Sequence, residues 1–374
     1  MNSNYKHILS PFTFPNSGIE ITNRIVLAPM TTYSGNEDGT VSDAEVIYYR
    51  ERNQSAGLLL TACAYVNKQG KAFKGQIGAD SDELIPSLTK IAETLKENGN
   101  KAVLQIHHGG RMSAPEELVD GQSVSASAVA AEREDAQTPR AMTTAEIEET
   151  IEAFGEATRR AIAAGFDGVE IHGANTYLLQ QFFSPHSNRR TDTWGGSLAN
   201  RMTFPLAVAD CVIKAAALSP RPFLVGYRIS PVEVENPGIT MNDTLQLVEA
   251  LSKKKLDYLH VSVQDFWEGS MRDAKDTKPR TKVIAEKIGA VLPVIGVGGI
   301  HTPEEVQRVL GIGIPLVAMG RELLMDPHWL IKVANNNTEQ IRTELDVDTQ
   351  DLLKIPNPLW ELLVSREDWM PLKK

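Results

Sequence analysis

The sequence predicts an α/β fold closed into a (β/α)8 TIM barrel, and three observations carry the prediction. Short apolar runs rich in Val, Ile and Leu recur about eight times along the chain, longer amphipathic stretches separate them, and the runs end in polar or glycine-containing turns. Runs without strict apolar–polar alternation fit strands buried on both faces, as in a parallel sheet. The candidate strands are 25–30, 58–65, 102–108, 168–174, 223–230, 258–263, 293–299 and 316–321. About eight helical stretches alternate with them, for example 82–98, 144–164, 200–217, 241–254 and 302–311. Thr143 and Glu146 have the spacing of a capping box, and Thr302-Pro303 sets a threonine cap before a proline at the first helical position. A doubly wound open sheet is the alternative, but it usually has fewer strands per domain.

Three segments fall outside the repeat. Residues 12–23 read as a small hairpin plugging the barrel bottom. The stretch 109–142 is too long for a bare βα loop and follows the third strand, so it is expected over the barrel mouth as a lid. The barrel domain is therefore 1–336. A C-terminal extension, 337–374, follows, whose prolines and two tryptophans near the end suggest packing on the barrel or on a neighbouring subunit of a homo-oligomer.

The 374 residues are 42% hydrophobic and 23% charged, enough to bury a large core. A net charge of −10 disfavours nucleic acid or an anionic membrane surface as a partner. No apolar run reaches the roughly 18–20 residues that span a bilayer. The polar N-terminus lacks the order of a signal peptide, so a cytoplasmic setting is expected. Cys63 and Cys211 are too few and too far apart for a disulfide framework or a metal site.

In such barrels chemistry sits at the C-terminal ends of the strands. Those ends read Met30-Thr31, Cys63, Gln105 to His108, His172 to Tyr177, Arg228, Gly298-Gly299 and Gly320-Arg321. They contain no carboxylate cluster, no nucleophile–base pair and no metal triad, a pattern that points to an organic cofactor. Glycines after strands seven and eight suit a phosphate site, with Arg321 as a charged fork; tight turns are the plainer reading. If the chain turns helical after His172, then His172 and Asn175 lie side by side and donate to one oxygen, with Tyr177 offering a phenolic proton. A histidine at a strand end is equally a structural hydrogen-bonder. His107 and His108 are adjacent on a strand, so they point to opposite faces and do not share a metal.

At HGANTYLLQQFFSPHSNRRTDTWGGSLANR (172–201) the chain resembles the Old Yellow Enzyme family of FMN-containing ene-reductases, within it the bacterial NADH-dependent flavin oxidoreductases. The likeness extends through NRIVLAPMT (23–31), LQIHHGGR (104–111) and AMGRELLMDP (318–327). The resemblance implies a bound FMN, NADH or NADPH as hydride donor, and hydride transfer from flavin N5 to an activated alkene, with quinones, nitro compounds or oxygen as other acceptors. His172 and Asn175 then bind the substrate carbonyl and Tyr177 protonates the α-carbon. Arg228 stabilises the reduced ring, Gln105 bonds its pyrimidine part and Thr31 tunes its O4 side. Ala28, Pro29, Met30, Cys63, Gly298, Gly299, Ala318, Met319, Gly320 and Arg321 complete the FMN site, and Tyr33 flanks the substrate. Cys63 also reads as a small buried apolar residue. Trp267 is a candidate pocket wall. Arg190, Asp192, Gly195, Gly196, Asn200 and Arg201 read as a brace for the loop after strand four. The chain departs from the family at Ala62, Ala199 and Trp194, none on the hydride path. A flavin-binding barrel without turnover is the competing class. A phosphosugar isomerase or aldolase on the same fold predicts a lysine or glutamate at a strand end, which the sequence lacks.

Overall fold

Eight parallel strands close on themselves in the computed structural model, which describes residues 5–366 and 369–373. They are β1 (Ile25–Leu27), β2 (Leu58–Leu60), β3 (Lys101–His107), β4 (Gly168–Gly173), β5 (Leu224–Ile229), β6 (Tyr258–Val261), β7 (Val294–Gly296) and β8 (Leu316–Met319). Each pairs with its neighbour in sequence, and β8 pairs with β1 to complete the ring. The expected barrel is the observed one. The main helices connecting successive strands pack outside it: α1 (Asp43–Arg52), α2 (Ile85–Lys96), α3 (Thr144–Ala163), α4 (Leu198–Ala216), α5 (Met241–Ser252), α6 (Arg280–Ile288) and α7 (Pro303–Gly311). Two short helices, Arg321–Met325 and Trp329–Ala334, follow β8. The capping box expected at Thr143/Glu146 forms, and the expected Thr302 cap forms as a capping box with Glu305.

Strand alternation divides the core in two. Ala102, Leu104, Val169, Ile171, Val225, Tyr227 and Leu259 point outward and join the main cluster beneath the helices. Val26, Leu58, Leu60, Val103, Leu224, Tyr258, Ile295 and Leu316 point inward and fill the barrel. Phe14 and Ile21 belong to the inner cluster, and Phe12–Thr13 pairs antiparallel with Glu20–Ile21. The N-terminal hairpin is thus the plug of the barrel's lower end.

Two local readings needed correction. The run 58–65 is not one strand: it breaks into Leu58–Leu60 and Ala64–Tyr65. Side-chain hydroxyls replace the ladder at the break, because Ala62 N donates to Tyr49 Oη (2.6 Å) and Gln105 N donates to Thr61 Oγ1 (3.2 Å). Helix α1, like α6, is not among the helical stretches named from the sequence. It buries Glu45, Tyr48, Tyr49 and Arg52, so polar and charged groups occupy positions where an apolar stripe is normally sought.

The outlying segments are tied down by polar contacts. Arg111 Nη1 donates to the carbonyls of Val129 and Ala130 within 109–142, while Arg190 Nη1 holds those of Ala126 and Met142. The brace reads as expected: Arg190 pairs with Asp192 (2.6 Å), and Arg201 donates to the carbonyls of Phe183 and Gly196. At the C-terminal end, Ile355, Leu359 and Leu363 join the outer core, and Arg52 Nη2 donates to Leu353 O (3.0 Å). Among the described residues, no helix is long and apolar enough to cross a membrane.

Candidate active site

A cavity of about 1020 Å3 opens at the C-terminal ends of the strands, near the upper end of the usual size of ligand sites. Its wall includes Ala28, Pro29, Met30, Thr31 and Tyr33 after β1, Asn175 after β4, Arg228 on β5, Gly298 and Gly299 after β7, and Ala318, Met319, Gly320 and Arg321 around β8. Segments far apart in sequence are therefore assembled around one space. Cys63, Gln105, His172 and Tyr177 do not line this space. Cys63, Gln105 and His172 are buried beside it, and Tyr177 packs on His172.

One end of the cavity is built from backbone and a cation. Gly298 has φ +130°, and a Cβ there would stand 2.8 Å from Phe266 N and 2.9 Å from Val263 O, so only glycine permits this turn. Arg321 lies over the next residue, with Nη2 3.8 Å from where a Gly299 Cβ would be, and its Nη1 donates to Trp369 O (3.2 Å). Close backbone beside a guanidinium suits a phosphate group.

Behind Asn175, beside the cavity rather than in its wall, lies a cluster of rings and hydrogen-bond donors. His107, His172 and Tyr177 meet edge to face, with centroids 5.2, 4.3 and 5.1 Å apart. His172 Nδ1 accepts from Ala174 N (3.3 Å), which leaves the proton on Nε2. Asn175 Oδ1 accepts from Ser230 Oγ (3.2 Å) and Ser262 Oγ (3.0 Å), so its amide nitrogen is turned the other way. Burial, with His107 and Arg228 nearby, pushes the His172 imidazole well below its ordinary pKa, so it stays neutral. Burial pushes the Tyr177 phenol up, so it keeps its proton.

The chain does not turn helical at His172. His172 ends β4, Asn175 and Thr176 have φ of +56° and +66°, and the following helix begins at Leu178. A threonine in the left-handed region is strained. Side chains hold the turn: Thr176 N donates to Gln180 Oε1 (2.9 Å), Gln181 Nε2 to Thr176 O (2.7 Å), and Asn175 N to Ser230 Oγ (2.9 Å). Asn175 thus reaches the cavity through a strained turn rather than by helical spacing.

Other expectations shift as well. No residue of 109–142 lines the cavity; the segment's approach is Arg133, whose charge is felt at the Tyr177 phenol. Leu362, Ser365, Arg366 and Trp369 of the C-terminal extension line it instead. A tail tryptophan signalled packing, but nothing local placed it at the mouth. Trp267 lies outside the cavity wall, edge to face with Phe266 and under Arg308 (4.3 Å). His107 faces the ring cluster, whereas His108 packs against Gly70. Cys63 is fully buried and its thiol is pushed up to about 12, which fits a small core residue rather than a reactive one.

A family model described as NADH:flavin oxidoreductase / NADH oxidase matches residues 7–340. The chain belongs to that family. The expectation of an FMN-binding protein served by NADH or NADPH stands with it, and the fold is shared with a solved Old Yellow Enzyme homologue from Zymomonas mobilis (24% identity, TM-score 0.75, over 88% of this chain and 92% of that one). Among relatives in the NADH:flavin oxidoreductase family, the Probable NADH-dependent flavin oxidoreductase YqiG of Bacillus subtilis (strain 168) is 49% identical over 374 residues, covering 100% of both chains. The NADH:fumarate oxidoreductase of Klebsiella pneumoniae (strain 342) is 46% identical over 364 residues, which are 96% of this chain but 39% of that one. Morphinone reductase in complex with tetrahydroNAD superposes with a TM-score of 0.75 at 27% identity, over 88% of this chain and 90% of that one.

Proposed function

We propose that this member of the family is an NAD(P)H-dependent ene-reductase acting on α,β-unsaturated carbonyl compounds. The observation that carries the reading is the trio of His172 Nε2–H, Asn175 Nδ2 and the Tyr177 hydroxyl, which find no hydrogen-bond partner among the described residues and stand beside the cavity. FMN held in this site and reduced by NADH or NADPH would supply the hydride for the alkene β-carbon. His172 and Asn175 hold the carbonyl oxygen with two N–H groups, and those bonds strengthen as negative charge collects on that oxygen. Tyr177 donates its proton to the α-carbon. Its raised pKa makes it a weak acid, so its contribution grows with the basicity of that carbon.

The remaining residues fit the cofactor. Gly298, Gly299 and Arg321 receive the phosphate, and Arg228 and Gln105 meet the pyrimidine edge of the ring. Thr31, with Ala28 to Met30 and Ala318 to Gly320, forms the walls, Cys63 packs behind them, and Tyr33 flanks the substrate. Purified protein should be yellow, be bleached by NADH or NADPH without oxygen, and regain colour with 2-cyclohexenone. Colourless protein that cannot be reconstituted with FMN removes the flavin site altogether.

A second reading is favoured by one length. The matched segment is 39% of the fumarate enzyme, so what the two proteins share need not include the site at which fumarate is reduced. On that reading the chain oxidises the nicotinamide and passes electrons to a quinone, a nitro compound or oxygen. Bleaching by NADH with no recovery on 2-cyclohexenone, but recovery on a quinone, selects it.

A further inference from the structure

A buried carboxylate, Glu170, lies inside the barrel one layer beneath the cavity floor, and none of the steps above uses it. Glu170 on β4 points inward at the same level as Gln105 on β3 and Gly226 on β5. Gln105 Nε2 donates to its Oε1 (2.7 Å), and His260 Nδ1 donates to its Oε2 (2.9 Å). Glu170 and His260 side chains are both fully buried. Room for the cluster is made at Gly226, where a Cβ would stand 2.1 Å from the Tyr258 ring.

A carboxylate with two neutral donors is not enough to hold a full charge in a protein interior. Burial alone raises the Glu170 carboxyl, but His260, Arg228 and Gln105 outweigh it and leave it below the usual range. His260 is kept neutral by burial, and its Nε2 has no partner. The balancing cation is Arg228, which lines the cavity above, donates to Ser262 Oγ (3.2 Å) and leaves its Nε unpartnered. Glu170 therefore sits behind the one guanidinium that this half of the cavity floor presents.

The carboxylate also decides which way Gln105 faces. A carboxylate only accepts hydrogen bonds, so the Gln105 amide nitrogen must turn toward Glu170. Its Oε1 is then the end left over, and it receives no donor among the described residues. An acceptor at Gln105 and a donor at Arg228, on the two strands that flank Glu170, complement a ring edge that carries an N–H next to a carbonyl. The flavin pyrimidine edge has that order, with N3–H beside the C2 carbonyl.

We propose that Glu170 is a positioning residue for the cofactor: it fixes Gln105 as the acceptor for the flavin N3–H and offsets part of the Arg228 charge, thereby setting the flavin's reduction potential. The proposal rests on the flavin site proposed above. Removing the negative charge leaves Arg228 less compensated, so the reduced cofactor, which carries the extra electrons, is held more tightly relative to the oxidised one.

The test is the FMN midpoint potential of holoprotein by anaerobic dye-equilibration titration, in wild type, Glu170→Gln and Glu170→Asp. Glu170→Gln should favour reduced over oxidised FMN about tenfold more than wild type, which for a two-electron couple is about 30 mV to the positive side. Glu170→Asp, which keeps the charge, should stay near wild type. A purely structural role would lower melting temperature in both variants without moving the potential. Native protein supplies an independent arm should the variants not fold: apoprotein should bind 3-methyl-FMN, which lacks the N3 proton, at least about tenfold more weakly than FMN. Equal potentials in wild type and Glu170→Gln, or equal affinity for the two flavins, overturns the role of Glu170 while leaving the flavin site standing. Failure of wild-type apoprotein to bind FMN at all overturns the flavin site as well.

Discussion

The two halves of the barrel interior are built from opposite materials. On the β8, β1 and β2 side the inward residues are Leu316, Ala318, Val26, Ala28, Leu58 and Leu60, all buried and apolar. On the β3 to β6 side, above the apolar Val103, Leu224 and Tyr258, the inward residues are Gln105, His107, Glu170, His172, Arg228 and His260, almost as deeply buried and polar. One ring of strands thus carries a hydrophobic half that holds the barrel together and a polar half that can act on a ligand. Burial makes the polar half useful: it keeps His172 neutral and Tyr177 protonated, so both are donors at neutral pH. The same burial makes this half costly, because each unpaired donor is stabilising only when something occupies the site.

The sharpest way to break this comparison is to strip the donors from the polar half. His172→Ala combined with Asn175→Ala should lower kcat/KM for 2-cyclohexenone by about a thousandfold or more, since each lost donor to a developing oxyanion typically costs 10²–10³. FMN content, read from the visible spectrum, should not change. Unchanged turnover refutes the assigned roles.

The apolar half should respond in stability instead. Leu58→Ala removes a fully buried side chain from the inner cluster, and the cavity left behind should cost about 3 kcal/mol in urea unfolding. Turnover per bound FMN should stay close to wild type. A large fall in turnover at unchanged stability would mean that the halves are not separable in this way.

Smaller effects appear in the pH dependence, and the two sides should fail in opposite directions. His107 is held down to about 3 by burial, with His108 beside it adding to the effect. The unfolded chain takes up that proton near 6.5 and the folded one does not, so stability falls as pH drops from 6.5 toward 3. In His107→Asn, an amide oxygen stands where Nδ1 meets Gln76, and the acid slope should become shallower. Behind the apolar half, Glu45 on α1 is raised to about 7 by burial, although Thr32 Oγ1 donates to it (2.6 Å). The folded chain therefore holds an extra proton between 4.5 and 7, and stability falls as pH rises through that window. Glu45→Gln should remove this loss and raise stability at pH 8 relative to pH 4.5 by on the order of 1–3 kcal/mol. Identical pH profiles for variant and wild type would show that Glu45 does not titrate there.

Much of the site was legible because barrel chemistry collects at strand ends, and each end is marked locally by an apolar run giving way to polar residues. Arg228, Gly298, Gly299 and Arg321 could be read in this way, and all four line one cavity. Asn175 was found for the wrong geometric reason: helical spacing suggested it, whereas a left-handed turn pinned by Gln180, Gln181 and Ser230 delivers it. Helix α1 is hard to read along the chain because two of its four buried residues, Glu45 and Arg52, are charged, which erases the apolar stripe. The lid was sought in 109–142 because of its length and place in the chain. The wall that the described residues contribute comes from 362–366 and Trp369, whose approach depends on contacts spanning hundreds of residues, such as Arg52 with Leu353.

By itself, the sequence determined the barrel, the order of its strands, the capped helices and the family, because all of these are written in local periodicity and contiguous motifs. Tertiary structure alone decided the protonation and orientation of the site. The proton on His172 Nε2, the direction of the Gln105 amide and the buried charge on Glu170 each depend on partners from other strands. Hydrogen bonds and electrostatic fields act through space, so no reading along one strand could supply them.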